Sequence, residues 1–459
     1  MGKIVLLTKS LICILILGVF ACSCSQSQNV LRIDDVSGAL GKTKAPVSVE
    51  IKLNKYQAIA AEEGRLGLLD PSADNGNGSL IPAQLESTGE GSNSHVVMIM
   101  PDGVPGLRKF KLIESESPFN AVMNATLDMN SGQVIIEEEG EKVLQYNYKT
   151  IYEKDVVRLA NEKAIKPISS ALTGIYLEEY LKENPKIKKD TLLTTSVYAV
   201  PRSDYIHPLY GLEGEMLTRD WPDGGHPHHR GIFWAWPEVE IGTLRGDLYA
   251  LQRVFARPTG KVALISGPIF AQIVAENLWL WNDTKPIVRE HAVIRVYRAT
   301  STTRIIDLTI KLDALEDSIT IATRGTDSYG GLNLRMMTPE SQDISYFTDE
   351  ADSKPLRAWS DFNGIFEGTE STSGLMVLQH KDNSEYPGDW VEYPNLAWVQ
   401  PTFPASGTRY PLSTEESLIL RYRLIVHAGG KPDEYISKKR WDAFHETVTP
   451  LYTFKKTKK

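Results

Sequence analysis

Arg304-Ile305-Ile306-Asp307-Leu308-Thr309-Ile310, two-thirds of the way along a 459-residue chain, decides the fold class. Ile306, Leu308 and Ile310 fall on one face of an extended segment and Asp307 and Thr309 on the other, which is the period-two pattern of a strand with one buried face. Working outward, Ile269–Ala275, His291–Arg298, Ser318–Thr323 and Leu418–Val426 are further β-rich runs. On the N-terminal side Val47–Leu53, Val96–Met100 and Gln133–Glu138 are shorter, the last turning at Gly140 into Lys142–Tyr148, and Asp70–Gly78 is a dense turn cluster. The expectation is an all-β protein: a small N-terminal β-domain (46–150) followed by an antiparallel β-sandwich (191–450). No GxGxxG loop and no sustained alternation of strands with amphipathic helices occurs, so a doubly wound nucleotide-binding sheet is excluded.

One stretch breaks the β pattern. Between 151 and 190 the chain is rich in Lys, Glu, Ala and Leu, with helical character at Val156–Ala164 and Ile175–Lys182 and prolines at 167 and 185. It reads as a helical insertion, either a solvated excursion or a lid over the site.

The first residues read as an export leader. Lys3 and Lys9 supply a positive start, Leu11–Phe20 is apolar but too short to span a bilayer core of roughly 30 Å, and Val19-Phe20-Ala21-Cys22 resembles a lipoprotein cleavage site. The expected lipidated residue is Cys22, with Cys24 as the second register and unlipidated cleavage as the plain alternative. Residues 22–45 then act as a tether. This predicts a chain lipid-anchored to an outer membrane, on the periplasmic side or at the cell surface. The only other cysteine, Cys13, lies within the leader, so neither disulfides nor thiolates operate in the folded body.

Loss of Lys3 and Lys9 takes the formal charge from −8 to −10, and no basic stripe accompanies it, which argues against nucleic acid as a partner.

The chemistry concentrates in Arg202–Gly231, RSDYIHPLYGLEGEMLTRDWPDGGHPHHRG, which holds His207, His226, His228 and His229, four of the nine histidines. Imidazoles exchange protons near neutral pH and ligate metals, so such a concentration marks a candidate site. In an extended segment His226, His228 and Arg230 share one face and His229 takes the other. A metal ion, if present, falls to His226 and His228 with a third ligand from His207, Glu290 or His291; His-x-His-His alone does not specify zinc. For any single histidine a hydrogen-bonded packing role is the plain alternative.

Tyr205-Ile206-His207-Pro208-Leu209-Tyr210, Gly214, Thr218-Arg219-Asp220 and His226-Pro227-His228-His229-Arg230-Gly231, with Tyr329-Gly330-Gly331, Leu334-Arg335-Met336 and Leu420-Arg421-Tyr422-Arg423, resemble the domain of unknown function 6807 family over residues 195 to 430. Members often carry a methane-oxygenase-like label, which a body without apolar spans does not fit. The resemblance implies a galactose-mutarotase-like supersandwich with a sugar on a concave face, and a setting among exported carbohydrate-degrading systems. Val239-Glu240-Ile241-Gly242 and the helical insertion depart from the family pattern and bear on the substrate.

Such folds host lyases, epimerases, hydrolases and binding modules, so the residues must choose. β-Elimination from a uronate needs a neutralised carboxylate, a base and an acid. Arg230 or Arg335 supply the first, His226 or His228 the second, and Tyr210 or His207 the third. Arg202, His229, Arg335, Trp236 and Trp390 are the expected substrate-binding residues. Glu340 or Glu290 would serve a mutarotase, and a glycosidase would need two carboxylates about 5–10 Å apart, for which Asp220, Asp223, Glu340 and Asp389 show no pairing. The leading expectation is a lyase or dehydratase on uronate-containing oligosaccharides of plant or algal origin, without an obligatory cofactor. A glycan-binding lipoprotein, or a hydrolase or epimerase, is the alternative.

Overall fold

A computed structural model describes residues 30–71, 78–86, 94–159, 181–182, 185–186, 201–222, 226, 228–347 and 358–446. The leader with Cys22 and Cys24, Asp223 and most of the helical insertion lie outside these residues. Val156–Leu159, expected to open the first insertion helix, has no regular structure.

Among the described residues, two eight-stranded antiparallel sheets dominate. The long sheet runs Val254–Ile265, Phe270–Trp281, Lys285–Tyr297, Thr303–Ala314, Leu418–Ala428, Thr372–Gln379, Trp359–Ile365, Glu340–Phe347 in spatial order. The second, the site sheet, runs Trp390–Tyr393, Trp398–Pro401, Gly331–Arg335, Ile232–Ala235, Tyr205–Leu209, Glu141–Asn147, Gln133–Glu138, Met123–Asp128. One apolar core joins them, with Ile306, Leu308 and Ile310 of the long sheet and Ile232, Leu332, Leu334 and Val399 of the site sheet in the same cluster. Burying each such side chain contributes about 1.5–3 kcal/mol. The expected all-β, antiparallel sandwich is what the chain forms.

Two expectations change. The strands at 123–147, assigned from sequence to the N-terminal β-domain, pair instead through Tyr146↔Ile206 into the site sheet. The N-terminal unit is therefore smaller, built on a four-stranded sheet (Val30–Asp35, Gly106–Glu114, Leu66–Asp70, Ser79–Pro82) and a three-stranded one (Pro46–Ile51, Ser94–Ile99, Gln84–Glu86). Second, the strand holding Arg304–Ile310 is buried on both faces rather than one. Its outer face carries Ile305, which packs in a cluster with Trp359, Met376, Trp441 and Phe444. Trp441 and Phe444 belong to a helix, Glu434–Glu446, which lies beyond the β-rich runs of the sequence; the Asp433 carboxylate caps it by accepting from the Ile436 N–H at 2.7 Å. Asp307 sits on that covered face because Arg423 opposite it donates two bonds to it at 2.7 and 2.8 Å. The N-terminal unit docks through Gln84, whose side chain bonds the backbone of Ile269 and Phe270, and through the buried Glu86–Arg295 pair.

Candidate functional site

Directly opposed residues of antiparallel strands point to the same face. Tyr205↔Phe233, Phe233↔Asn333 and Arg335↔Trp398 therefore lie on one face of the site sheet, and Tyr393, paired with Trp398, joins them. Trp234 points the opposite way, into the sandwich. This places Phe233, Arg335, Trp398 and Tyr393 on the sheet face opposite Trp234, Leu332 and Leu334, where Phe233 and Trp398 are themselves buried.

The histidine segment enters this face through Gly231. Its φ is +55°, and a Cβ there would stand 2.2 Å from the Ile206 carbonyl oxygen, so only glycine lets the chain pass from Arg230 into the Ile232–Ala235 strand. Before it the chain turns instead of extending, with the His229 N–H donating to the His226 carbonyl at 3.0 Å. The turn replaces the expected alternation. It gathers His226, His228 and His229, whose ring centres lie 5.6, 4.8 and 4.6 Å apart, with ligating atoms all within 4.8 Å of one another. It sends Arg230 elsewhere: fully buried between the rings of Tyr205 and Trp221, ion-paired with Asp220, and donating to the Tyr205 hydroxyl at 2.5 Å.

The three imidazoles line a cavity of about 270 Å³ together with Tyr249, Tyr329, Tyr393, Leu396 and Trp398. The His229 ring lies 4.2 Å from that of Trp398, and Tyr249 stands 4.9 Å from Tyr329. Tyr249 is presented by a tight loop held from two sides. Arg202 donates to the carbonyls of Tyr249 and Leu248 at 2.9 and 2.8 Å, while the Asp247 carboxylate accepts from the Ala250 N–H at 2.8 Å and pairs with Arg324. Arg324 also donates to the Tyr329 hydroxyl at 3.2 Å.

Burial, followed by neighbouring positive charge, keeps these imidazoles neutral. His228 is pulled down to about 3 by desolvation and then by His226, Arg202, Arg324 and Arg335. His229 is held well below its ordinary value by burial, His228 and Arg335, and His226 is lowered by burial and Arg335. Burial also raises the phenols of Tyr249 and Tyr329, so both keep their protons.

The remaining expected residues are dispersed. His207 lies in the site sheet, buried, with Nδ1 3.0 Å from the Thr218 hydroxyl and Nε2 2.9 Å from the Val157 carbonyl, which makes it a packing residue. Tyr210 is half-buried outside the cavity lining, and Arg202 acts on the backbone of the Tyr249 loop. Trp236 is buried, its indole donating to the Phe403 carbonyl at 2.8 Å. Trp390 is on the opposite face of its strand from Tyr393 and packs on Tyr346. Glu290, an alternative ligand or base, lies in the interior and accepts from the indoles of Trp234 and Trp279 at 2.7 and 2.8 Å. His291 faces Glu276 and Asp313, away from the cluster. Arg335 and the three histidines thus share one face; Arg230, on the Tyr205 ring, and Arg202, on the Phe233 ring, lie on it too but are engaged by Asp220 and by the backbone of the Tyr249 loop. Tyr249, Tyr329, Tyr393 and Trp398 were not assigned, although Tyr329 belongs to the Tyr-Gly-Gly block that carries the resemblance. Nothing in sequence distinguishes Trp398 from Trp236.

No curated protein matches the chain in sequence. Among solved structures, a GH36 α-galactosidase, AgaB, from Geobacillus stearothermophilus aligns at 11% identity over 67% of this chain and 41% of that one, with a TM-score of 0.24. The chain spans about two-fifths of that enzyme, and a likeness at this level carries no argument. Residues 188–441, which contain the histidine turn, both flanking strands and all eight cavity residues, match the model described as "Family of unknown function (DUF6807)", and the chain belongs to that family.

Proposed function

We propose that the protein is a carbohydrate-active enzyme working by β-elimination, a lyase or dehydratase on uronate-containing oligosaccharides. The make-up of the cavity supports this reading: three imidazoles and three phenols line it, Arg335 stands on the same sheet face, and no carboxylate is among its described lining residues. Hydrolysis by two carboxylates would need a pair about 5–10 Å apart across the bond. Asp220 is instead consumed by Arg230, Glu290 by two indoles, and Asp389 accepts from the Ser406 N–H at 3.1 Å, outside the cavity. A volume of about 270 Å³ suits one sugar ring or a chain end.

In this reading Arg335 neutralises the uronate carboxylate. The C5 proton is taken at the imidazole cluster, and the C5–H electron pair becomes the C4–C5 double bond as the C4–O bond breaks. The departing oxygen takes a proton from Tyr249 or Tyr329. The leader adds export to the proposal: lipidation at Cys22 would hold the body at a membrane, and a Cys22→Ser chain that still partitions with membranes would refute it. The enzymatic test is ultraviolet absorbance of the conjugated double bond while the purified chain meets a panel of uronate oligosaccharides. A rise that is lost in Arg335→Ala and His228→Ala is expected. A flat trace with new reducing ends, an inverted centre or bare calorimetric binding would replace elimination with hydrolysis, epimerisation or glycan binding.

A further inference from the structure

We infer that His226, His228 and His229 form a three-imidazole site for one divalent transition-metal ion, with an open coordination position facing the cavity. The ring spacing is the first support. A metal–nitrogen bond of about 2.0–2.1 Å sets the ring centre roughly 3.2 Å from the ion, so three imidazoles on one tetrahedral ion have centres about 5 Å apart. The observed centres, 4.6 to 5.6 Å apart, bracket that value. The ligating atoms spread over at most 4.8 Å, and ring rotations on an already formed turn bring them to the roughly 3.3 Å of a tetrahedral edge.

The second support is His229. It is 5% exposed, and its Nδ1 has no hydrogen-bond partner among the described residues. Buried polar atoms ordinarily find partners, and an orphan costs about 1–3 kcal/mol. A metal ion or the tautomer it selects removes that cost. The donor set also names the class of ion: imidazoles without carboxylates suit zinc, cobalt, nickel or copper and not calcium or magnesium. Three protein ligands and an open fourth position are the arrangement of a catalytic site, not a closed structural one.

The surrounding charge adds a condition. Arg335 stands on the cavity face of the sheet and Arg202 packs 4.5 Å from the Phe233 ring centre on that face, and neither disfavours an anion beside the ion, whereas Arg324 is already paired with Asp247. An anion therefore suits the open position, either hydroxide or a substrate carboxylate. This last step rests on the elimination reading above. With an ion bound, the three histidines would hold it through their lone pairs, and the basic group taking the C5 proton at the cluster would be a hydroxide supplied by the ion instead of a free imidazole.

The experiment uses untagged full chain, stripped with chelator and titrated with Co²⁺. The readouts are visible absorption of tetrahedral cobalt and calorimetric stoichiometry. One ion per chain is expected, with affinity reduced at least about tenfold by His226→Ala and by His228→Ala and unchanged by His291→Ala. Absence of Co²⁺ binding, or binding that survives both substitutions, overturns the site. Because His229 is buried, each variant is checked for an unchanged thermal midpoint without metal, and His226→Gln at the half-exposed position provides a second, milder test. Glucuronate should tighten Co²⁺ binding, since coupling between two ligands is reciprocal. Cobalt binding without any double-bond formation would sink elimination and keep the site; elimination by protein that binds no Co²⁺ would do the reverse.

Discussion

Asp220 and Arg230 form an ion pair in which neither side chain has more than 1% of its surface exposed, with the Arg230 guanidinium 4.4 Å from the Trp221 ring centre and 4.6 Å from that of Tyr205. The pair also forms the bridge that closes the histidine loop, since Asp220 and Arg230 are backbone partners as well.

Removing one member strands a buried charge. Arg230→Ala is expected to cost about 3–5 kcal/mol, a drop in melting temperature on the order of 10 °C. The double change Arg230→Met, Asp220→Leu should recover much of the loss, because two apolar groups need no partner. Calorimetric melting of both proteins decides it. A double variant as unstable as the single one would show that the aromatic sandwich, and not the charge, is what Arg230 supplies.

Those same residues show what sequence could reveal. The strands were readable because alternation of Ile306, Leu308 and Ile310 reports one buried face directly. Burial of the other face was not, because it depends on a helix 130 residues downstream supplying Trp441 and Phe444. The histidine concentration pointed to the right segment, yet its geometry required knowing that a turn, not a strand, precedes Gly231. An extended reading necessarily put Arg230 beside His228. The cavity aromatics come from four separate segments, and only strand register separates Trp398, on the cavity face, from Trp390, which pairs one strand over and points away.

That register yields a contrast among tryptophans. For a uronate oligosaccharide that the chain binds, Trp398→Ala should weaken affinity about tenfold through loss of ring contact, with stability reduced as well. Trp236→Phe should leave affinity alone and cost about 1–3 kcal/mol, because the Phe403 carbonyl loses its buried donor. Trp390→Ala should leave affinity alone. Calorimetric titration of the three variants checks this; equal affinity losses at Trp398 and Trp390 would refute the assignment of faces.

Between the two sheets Glu290 accepts from two indoles, and Asp204 accepts from the Tyr146 hydroxyl at 2.7 Å and Asn277 at 3.0 Å. Burial, and then the charge of Asp204, holds the Glu290 carboxyl well above its ordinary value of 4.5. A raised acid binds a proton in the folded state that the unfolded chain releases, so its stabilising share is complete below about pH 4.5 and declines as pH rises toward the folded value. Glu290→Gln carries no such penalty but turns an amide toward one indole N–H. The variant should be less stable than the parent at about pH 5, with the gap narrowing toward about pH 9. Urea midpoints at both values test it, and a constant gap would mean that Glu290 does not titrate with folding.

The helix Glu434–Glu446 offers the opposite sign. His445 Nε2 accepts from the Lys381 N–H at 3.0 Å while Nδ1 faces the Trp441 carbonyl at 2.8 Å, so the ring is neutral and carries its proton on Nδ1. His380, 4.8 Å away, accepts from the Asp382 N–H at 3.1 Å in the same way. Burial first, and then His380, Lys381 and Arg423, pulls His445 down to about 3, against an attraction to the Trp441 carbonyl; burial pulls His380 to about 4, with Asp382 opposing and Arg421 and Arg423 assisting. A lowered base is protonated more readily in the unfolded chain. Its stabilising share is therefore complete above the ordinary value of 6.5 and is lost as pH falls toward the folded values. Acidification from about pH 7 to about pH 5 should loosen this helix from the long sheet, exposing Trp441 and shifting its fluorescence. His445→Gln loses part of the neutral-pH stability and flattens the acid slope; if it lost stability with pH as steeply as the parent, other groups would have to carry the transition.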